Sequence, residues 1–155
     1  MNSSHEAELK GWLQTRLHLY LRAENQSAIN SVESVAKNLK LPLYRLQCFP
    51  SMKESDLWGS VDENGKIRAS MASKAFTQGG VFCIENIENA PADLQFWLKS
   101  GLDGAVSVAG NPSMKRHPDF VIVLTSPVPL RELWSGQVDQ AFIDHFSYLD
   151  VEVDD

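Results

Sequence analysis

Leu17-His18-Leu19-Tyr20-Leu21, followed by Arg22-Ala23-Glu24-Asn25-Gln26-Ser27-Ala28-Ile29, is the stretch on which the fold turns. The first run is apolar and of strand length, and it reads as a buried strand. From Ser27 onward, Ile29, Val32, Val35, Ala36 and Leu39 recur at helical spacing. The eight residues from Arg22 to Ile29 are therefore expected to form a loop that feeds this helix. Leu41-Pro42-Leu43-Tyr44-Arg45-Leu46 then begins a second strand. Strand, helix and strand in that order imply a right-handed parallel crossover.

The same alternation continues on both sides of this unit. Ser4 is placed to cap a first helix in which Leu9, Trp12, Leu13 and Arg16 share one face. Residues 51–70 are loop-rich, with Asn64-Gly65 between Val61 and Ile67 as a hairpin turn. A short helix over Met71–Thr77 stops at Gln78-Gly79-Gly80, and Val81–Ile84 is a continuous apolar run, the signature of a central strand covered on both faces. Pro91 opens a further helix carrying Leu94, Trp97, Leu98 and Leu102, closed by Gly101 and Gly104. Residues 105–109 form a short ribbon, Phe120–Leu124 is another buried strand, Leu130–Trp134 begins a helical segment, and Leu149–Val153 is a last strand. This pattern predicts an α/β fold of three layers, a mostly parallel five-stranded sheet flanked by helices. The whole chain, 1–155, is expected to be one domain, with residues 1–16 an N-terminal helix, 17–153 the core, and no lid domain.

Composition removes several classes of function. The net charge of −6 argues against a nucleic-acid surface, and the one basic cluster, Lys115-Arg116-His117, reads as a solvated turn before a strand. Cys48 and Cys83 stand in apolar strand contexts and are expected to be core thiols, not a disulfide or a metal pair. No apolar run reaches membrane-spanning length, and Met1-Asn2-Ser3-Ser4-His5-Glu6 lacks the basic and apolar regions of a signal peptide. The expectation is a soluble, cytoplasmic chain without membrane or direct nucleic-acid contact.

A strand, loop and helix in this arrangement is the layout of a phosphate-binding unit. The chemistry of such a loop requires Gly-x-x-x-x-Gly-Lys-Ser/Thr: glycines let backbone N–H groups close on the phosphates, lysine neutralises them, and the hydroxyl holds magnesium. A gapless match places Arg22 and Ser27 at the glycines, Ala28 at the lysine and Ile29 at the hydroxyl residue. No lysine occurs between Lys10 and Lys37, and Glu24 adds a carboxylate where phosphates would lie.

Further along, Gln47-Cys48 precedes Glu54-Ser55-Asp56-Leu57-Trp58-Gly59, which is similar to Asn-Cys followed by Glu-Ser-Glu-Leu-Phe-Gly. Gly79-Gly80-Val81-Phe82-Cys83-Ile84-Glu85-Asn86-Ile87 is similar to Gly-Gly-Thr-Leu-Phe-Leu-Asp-Glu-Ile, with Asp93-Leu94-Gln95 downstream. Leu130-Arg131-Glu132-Leu133 and Gly136 match a Leu-x-x-Leu and Gly stretch. In these motifs and their order, the chain from about Leu17 to Val153 resembles the core of AAA+ ATPases, most closely the central domain of bacterial sigma-54-dependent activators. The MoxR and dynein-like branch shares many of the same features.

The departures from the family pattern fall on its catalytic positions. The magnesium-organising Asp is Glu85, and the Glu that would activate water is Asn86, which cannot take up a proton at neutral pH. The sensor position is Thr125. Arg131 is the last arginine, so the positions that would reach a neighbouring subunit hold Phe142, His145 or Tyr148. Asp62-Glu63-Asn64-Gly65-Lys66 stands where the activators carry Gly-Ala-Phe-Thr-Gly-Ala. The resemblance with these departures implies a catalytically degenerate, sigma-54-activator-like AAA+ domain. Its expected role is a protein-interaction module in transcriptional or signalling regulation, a pseudo-ATPase with no catalytic, nucleotide-binding or metal residues and no cofactor. Its partner would be another protein, and the chain a monomer or small oligomer rather than a ring. The alternative is a nucleotide-binding AAA+ ATPase of the sigma-54-activator or MoxR type that retains weak binding of ATP and magnesium.

Individual side chains carry narrower expectations. Trp58 stands among polar residues and reads as an exposed anchor for a partner, whereas Trp12 and Trp97 lie on apolar helical faces and read as core. Glu85 beside Asn86 is a poor magnesium site. His145 after Asp144 reads as a surface or packing histidine, since no nucleophile accompanies it. Arg22 is expected to fill the phosphate pocket by pairing with Glu85 or Glu24.

Overall fold

Residues 3–23, 26–106 and 114–151 are described by the computed structural model. In chain order they form α1 (Ser3–Gln14), β1 (Leu19–Arg22), α2 (Gln26–Asn38), β2 (Leu43–Gln47), α3 (Glu54–Trp58), the ribbon of β3 (Ser60–Val61) and β4 (Ile67–Arg68), α4 (Met71–Gln78) and β5 (Gly80–Glu85). A 3-10 turn (Ile87–Asn89), α5 (Leu94–Leu102), a second ribbon of β6 (Ala105–Val106) and β7 (Met114–Lys115), and β8 (Phe120–Ser126) follow. The described chain ends with a 3-10 segment (Leu130–Gly136), α6 (Gln140–Ile143) and β9 (Ser147–Asp150).

Five strands make one sheet in the order β2-β5-β8-β1-β9, and every pairing in it is parallel. The period of two along each strand divides the core between the two faces. Leu19, Leu21, Val81, Cys83, Val121 and Val123 face one side and pack with Leu9 and Leu13 of α1 and Val32 and Ala36 of α2. Tyr20, Phe82, Ile84, Phe120, Ile122 and Leu124 face the other and pack with Phe76 of α4 and Leu94 and Leu98 of α5. The result is three layers, an α/β sandwich with β5 and β8 buried at every position. No helix among the described residues is long and apolar enough to cross a membrane.

Several expectations are corrected at the element ends. The first strand begins at Leu19, because Arg16 takes a left-handed conformation (φ 59°) and donates from Nη1 to the carbonyls of Leu13 and Gln14 at the end of α1. That turn leaves Leu17 exposed and buries His18, whose Nδ1 accepts from the Ile122 N–H at 2.9 Å. Helix α1 already includes Ser3, so Ser4 lies in its first turn and is not its cap. The expected loop from Arg22 to Ile29 is corrected at both ends: Arg22 ends the strand and α2 starts at Gln26, with residues 24 and 25 outside the described ones. β2 is parallel to β1 but not beside it, since β8 and β5 insert between them. The last strand is Ser147–Asp150 instead of Leu149–Val153, because the Ser147 N–H already bonds the His18 carbonyl; residues 152–155 lie outside the described ones. The expected ribbon at 105–109 is present as β6 pairing β7 at Ala105–Val106, with residues 107–109 outside the description.

Lys115-Arg116-His117 is not a simple solvated turn. Arg116 lies over the Phe120 ring at 5.6 Å and donates to the Phe120 carbonyl, while the His117 N–H bonds the Phe76 carbonyl and its Nδ1 accepts from the Asp119 N–H. Asn64-Gly65 makes the hairpin between β3 and β4, with Gly65 at φ 78° and Asp62 Oδ1 accepting from the Asn64 and Lys66 N–H groups. Cys48 and Cys83 are both free and buried, and burial pushes each thiol up to about 12, which makes them inert core groups.

Candidate functional site

The carboxyl ends of β1, β5 and β8 and the first turn of α2 enclose a cleft of about 160 Å³. In open parallel sheets ligands bind at this end. Gln26, Ile29, Gln47, Glu85, Asn86 and Thr125 line it, so the structure brings together one residue from the first motif, both from the second, and the sensor position. Ser27 and Ala28 belong to the first turn of α2, and their side chains, like all of Glu24, lie outside the described residues.

Each position shows a distinct chemistry. Ile29, the residue that the sequence match sets at the hydroxyl position, is an apolar side chain buried against the α1/α2 face of the sheet. Glu85 is buried, and both of its oxygens accept from Arg45 at 2.7 Å, from Nε to Oε2 and from Nη2 to Oε1. This fork-to-fork pair is the strongest geometry available to an arginine and a carboxylate, and it holds the Arg45 guanidinium above its ordinary pKa. Asn86 leaves β5 in the left-handed region (φ 54°, ψ 53°), a conformation that asparagine tolerates better than glutamate. Thr125 is buried, next to Ser126, whose Oγ accepts from the Val128 N–H.

Arg22 does not pair with Glu85. Its Nε donates to the Pro127 carbonyl at 3.0 Å and its Nη1 to Asp150 Oδ2 at 3.1 Å, tying the loop after β8 to the edge strand β9. The Tyr20 hydroxyl bonds the Val128 carbonyl in the same loop. The cation that the cleft acid receives comes from Arg45, which sequence reasoning passed over as a strand residue. The signal was present: Arg45 and Gln47 alternate on β2, and in the parallel register they face the same side as their partners Cys83 and Glu85.

Trp58 is not an exposed anchor. It is 3% exposed, its Nε1 donates to the Trp97 carbonyl at 2.8 Å, and its ring meets Phe76 edge-on at 5.8 Å. Its ring edge also lies so close to Gly101 that a Cβ there would stand 2.6 Å from it. Trp58 closes α3, and the last turn of that helix puts Leu57 and Trp58 inward while its polar residues face out. The remaining sequence-named residues take no part in the cleft. Phe142 packs on Trp134 and Phe146, Tyr148 stacks on Tyr20 at 5.8 Å, and His145 sits 4.0 Å from Asp103 at the surface.

The ion pair gives a direct test of the cleft's construction. Arg45→Met should lower the unfolding free energy by about 2 kcal/mol, less than for a sealed pair because Arg45 is 41% exposed. Adding Glu85→Met should recover most of the loss, since the stranded charge is gone. Urea denaturation of the single and double variants reads both values, and an Arg45→Met chain as stable as the parent would mean that water already solvates Glu85.

No protein-family model and no curated protein matches the sequence. Among solved structures, NtrX from Brucella abortus matches with a TM-score of 0.75 at 14% identity, over 97% of this chain and 35% of that one. A candidate ATPase from Cytophaga hutchinsonii matches with a TM-score of 0.70 at 21% identity, over 97% and 45%. A full-length MCM homolog from Methanopyrus kandleri matches with a TM-score of 0.63 at 20% identity, over 99% and 35%. The chain thus spans less than half the length of these proteins. Together with the all-parallel sheet and its strand order, these likenesses show that the chain has the P-loop NTPase-like AAA+ core fold.

Proposed function

We propose that this chain is a catalytically degenerate AAA+ core that does not turn over ATP and acts as a protein-interaction module. The observation that carries the reading is Arg45, bonded to both oxygens of Glu85 at the position of the magnesium-organising acid. A magnesium ion would have to displace a guanidinium to reach that carboxylate, and Ile29 offers it no hydroxyl. ATP and magnesium therefore do not fit these residues. A charge-assisted hydrogen bond contributes about 1.5–3 kcal/mol, against about 8 kcal/mol for a whole micromolar site. Without the lysine, the hydroxyl and a free acid, most of that affinity is gone.

The regulatory setting, transcriptional or signalling, rests on the resemblance to sigma-54-dependent activators and on the likeness in fold to NtrX, one of that class. The partner in this reading is another protein, in the cytoplasm, met by a monomer or small oligomer. A second reading, weak binding of ATP, is favoured by the open cleft with its amide and hydroxyl groups, and NtrX itself has been solved with ATP and with ADP.

Calorimetric titration of the full chain with ATP and magnesium decides between the two. The expected result is no saturable heat and no rise in melting temperature at millimolar nucleotide, because a ligand stabilises only in proportion to its occupancy. A dissociation constant tighter than roughly 100 μM, about −5.5 kcal/mol, would overturn the proposal in favour of the second reading.

A further inference from the structure

A larger cavity, about 390 Å³, lies at the opposite end of the sheet, beneath the amino ends of β1, β8 and β9. Arg16, His18, Arg116, Asp144 and His145 line it, with Phe146 as an apolar wall. The cavity wall thus carries two arginines against one carboxylate, in a chain whose net charge is −6.

The state of each polar group is defined by its bonds. Arg16 is engaged, with its Nε on Asp119 at 3.3 Å and its Nη1 on the α1 carbonyls. Asp144 Oδ1 accepts from Gln140, and His145 lies 4.0 Å from Asp103. Arg116 differs from the other cations here. It is partly buried on the Phe120 ring, burial lowers its pKa, and it has no carboxylate partner among the described residues. A half-buried guanidinium that lines a cavity, donates only to the Phe120 carbonyl and has no carboxylate partner among the described residues offers its remaining N–H groups to an anion. His18 supplies a second donor. Its Nδ1 accepts from the Ile122 N–H, so the proton of the neutral ring sits on Nε2. That Nε2–H meets no acceptor among the described residues, and His18 lines the cavity.

We propose that this cavity is an anion-binding site in which the Arg116 guanidinium and the His18 Nε2–H hold the phosphate or carboxylate group of a small molecule. The donors are of the charge-assisted and directional kinds that bind such oxygens. The volume lies within the range of small-molecule pockets, so the ligand extends beyond the oxyanion and rests on Phe146. The site shares no residue with the cleft at the carboxyl ends of the strands and stands independently of the function proposed for that cleft.

The test is a nuclear magnetic resonance titration of the full chain with inorganic phosphate and, separately, with acetate, each against sodium chloride at equal ionic strength. Saturable shifts of the His18 ring and Arg116 side-chain signals are expected, with a dissociation constant of about 1 mM for the better anion. Stronger response to one of the two probes assigns the ligand as a phosphate or a carboxylate. Arg116→Met should weaken binding at least about tenfold, while Arg116→Lys, which keeps the charge, should retain part of it. Unmoved His18 and Arg116 signals, shifts reproduced by chloride, or unchanged binding in a folded Arg116→Met chain would each overturn the proposal. If Arg116→Met does not fold, the titration of the parent chain decides alone, through whether its shifts centre on these two residues.

Discussion

Trp58→Ala is expected to destabilise the chain by about 4 kcal/mol, the range for truncating a fully buried aromatic. Three separate interactions fail together. The indole leaves a cavity against Phe76 and Gly101, the edge-on ring contact is lost, and the Trp97 carbonyl loses the indole N–H, keeping the Ser100 hydroxyl as a donor. Chemical denaturation of the variant gives the number directly. A surface anchor would behave in the opposite way, with stability unchanged within about 0.5 kcal/mol. Gly101 offers a second view of the same contact. Gly101→Ala alone should cost about 1–3 kcal/mol by overpacking, because its methyl would collide with the indole edge. Combined with Trp58→Phe, whose ring is shorter, the alanine should be better tolerated, so the two substitutions should couple in a double-mutant cycle.

The second large effect is acid destabilisation through His18. Burial is the main reason that its pKa falls from 6.5 to about 3, with the charges of Arg116 and His145 adding to it. The Phe120 and Phe146 rings pack beside it and offer no counter-charge. The folded state therefore resists a proton that the unfolded chain takes up at about pH 6.5. The stabilisation is fully present above that pH. It is lost as pH falls toward 3, at about 1.4 kcal/mol per unit, or about 5 kcal/mol in all. Below about pH 5 the carboxylates begin to contribute, so the clean window is between 6.5 and 5. His18→Asn, whose Oδ1 is placed to accept from Ile122 as Nδ1 does, should remove the slope in that window while leaving the chain folded at pH 7. Parallel slopes for the parent and the variant would assign the acid sensitivity to other groups.

The parts of this fold that were legible in the sequence are those that do not depend on their surroundings. β5 and β8 are covered on both faces, so each reads as an unbroken apolar run whatever packs on it. The start of β1 was not legible, because Leu17 and Leu19 look alike until the left-handed turn at Arg16 sends one out and the other in. Trp58 was misread for a related reason. α3 is five residues long, too short for a periodic signal, and its inward face is set by α4 and α5. In the cleft, Glu85, Asn86 and Thr125 were named from motif order because the ends of β5 and β8 fix their place, and Ile29 because α2 begins just after β1. Arg45 was missed because it lies 40 residues from Glu85 and meets it only through strand register.

The Arg45–Glu85 pair also makes the cleft entrenched. If the cleft is degenerate as proposed, installing a phosphate site one substitution at a time would run uphill at each step. Removing Arg45 strands a buried carboxylate. Placing threonine at Ile29 takes a hydrocarbon out of the core and puts a hydroxyl into it, at about 1–2 kcal/mol. Placing glutamate at Asn86 forces a side chain into the left-handed region, at about 1 kcal/mol. Each loss comes before any gain in binding, and together they are a large share of the 5–15 kcal/mol that holds a typical domain folded. On the function proposed above, a phosphate site would be regained only by changing several residues at once, which makes the present arrangement a one-way door.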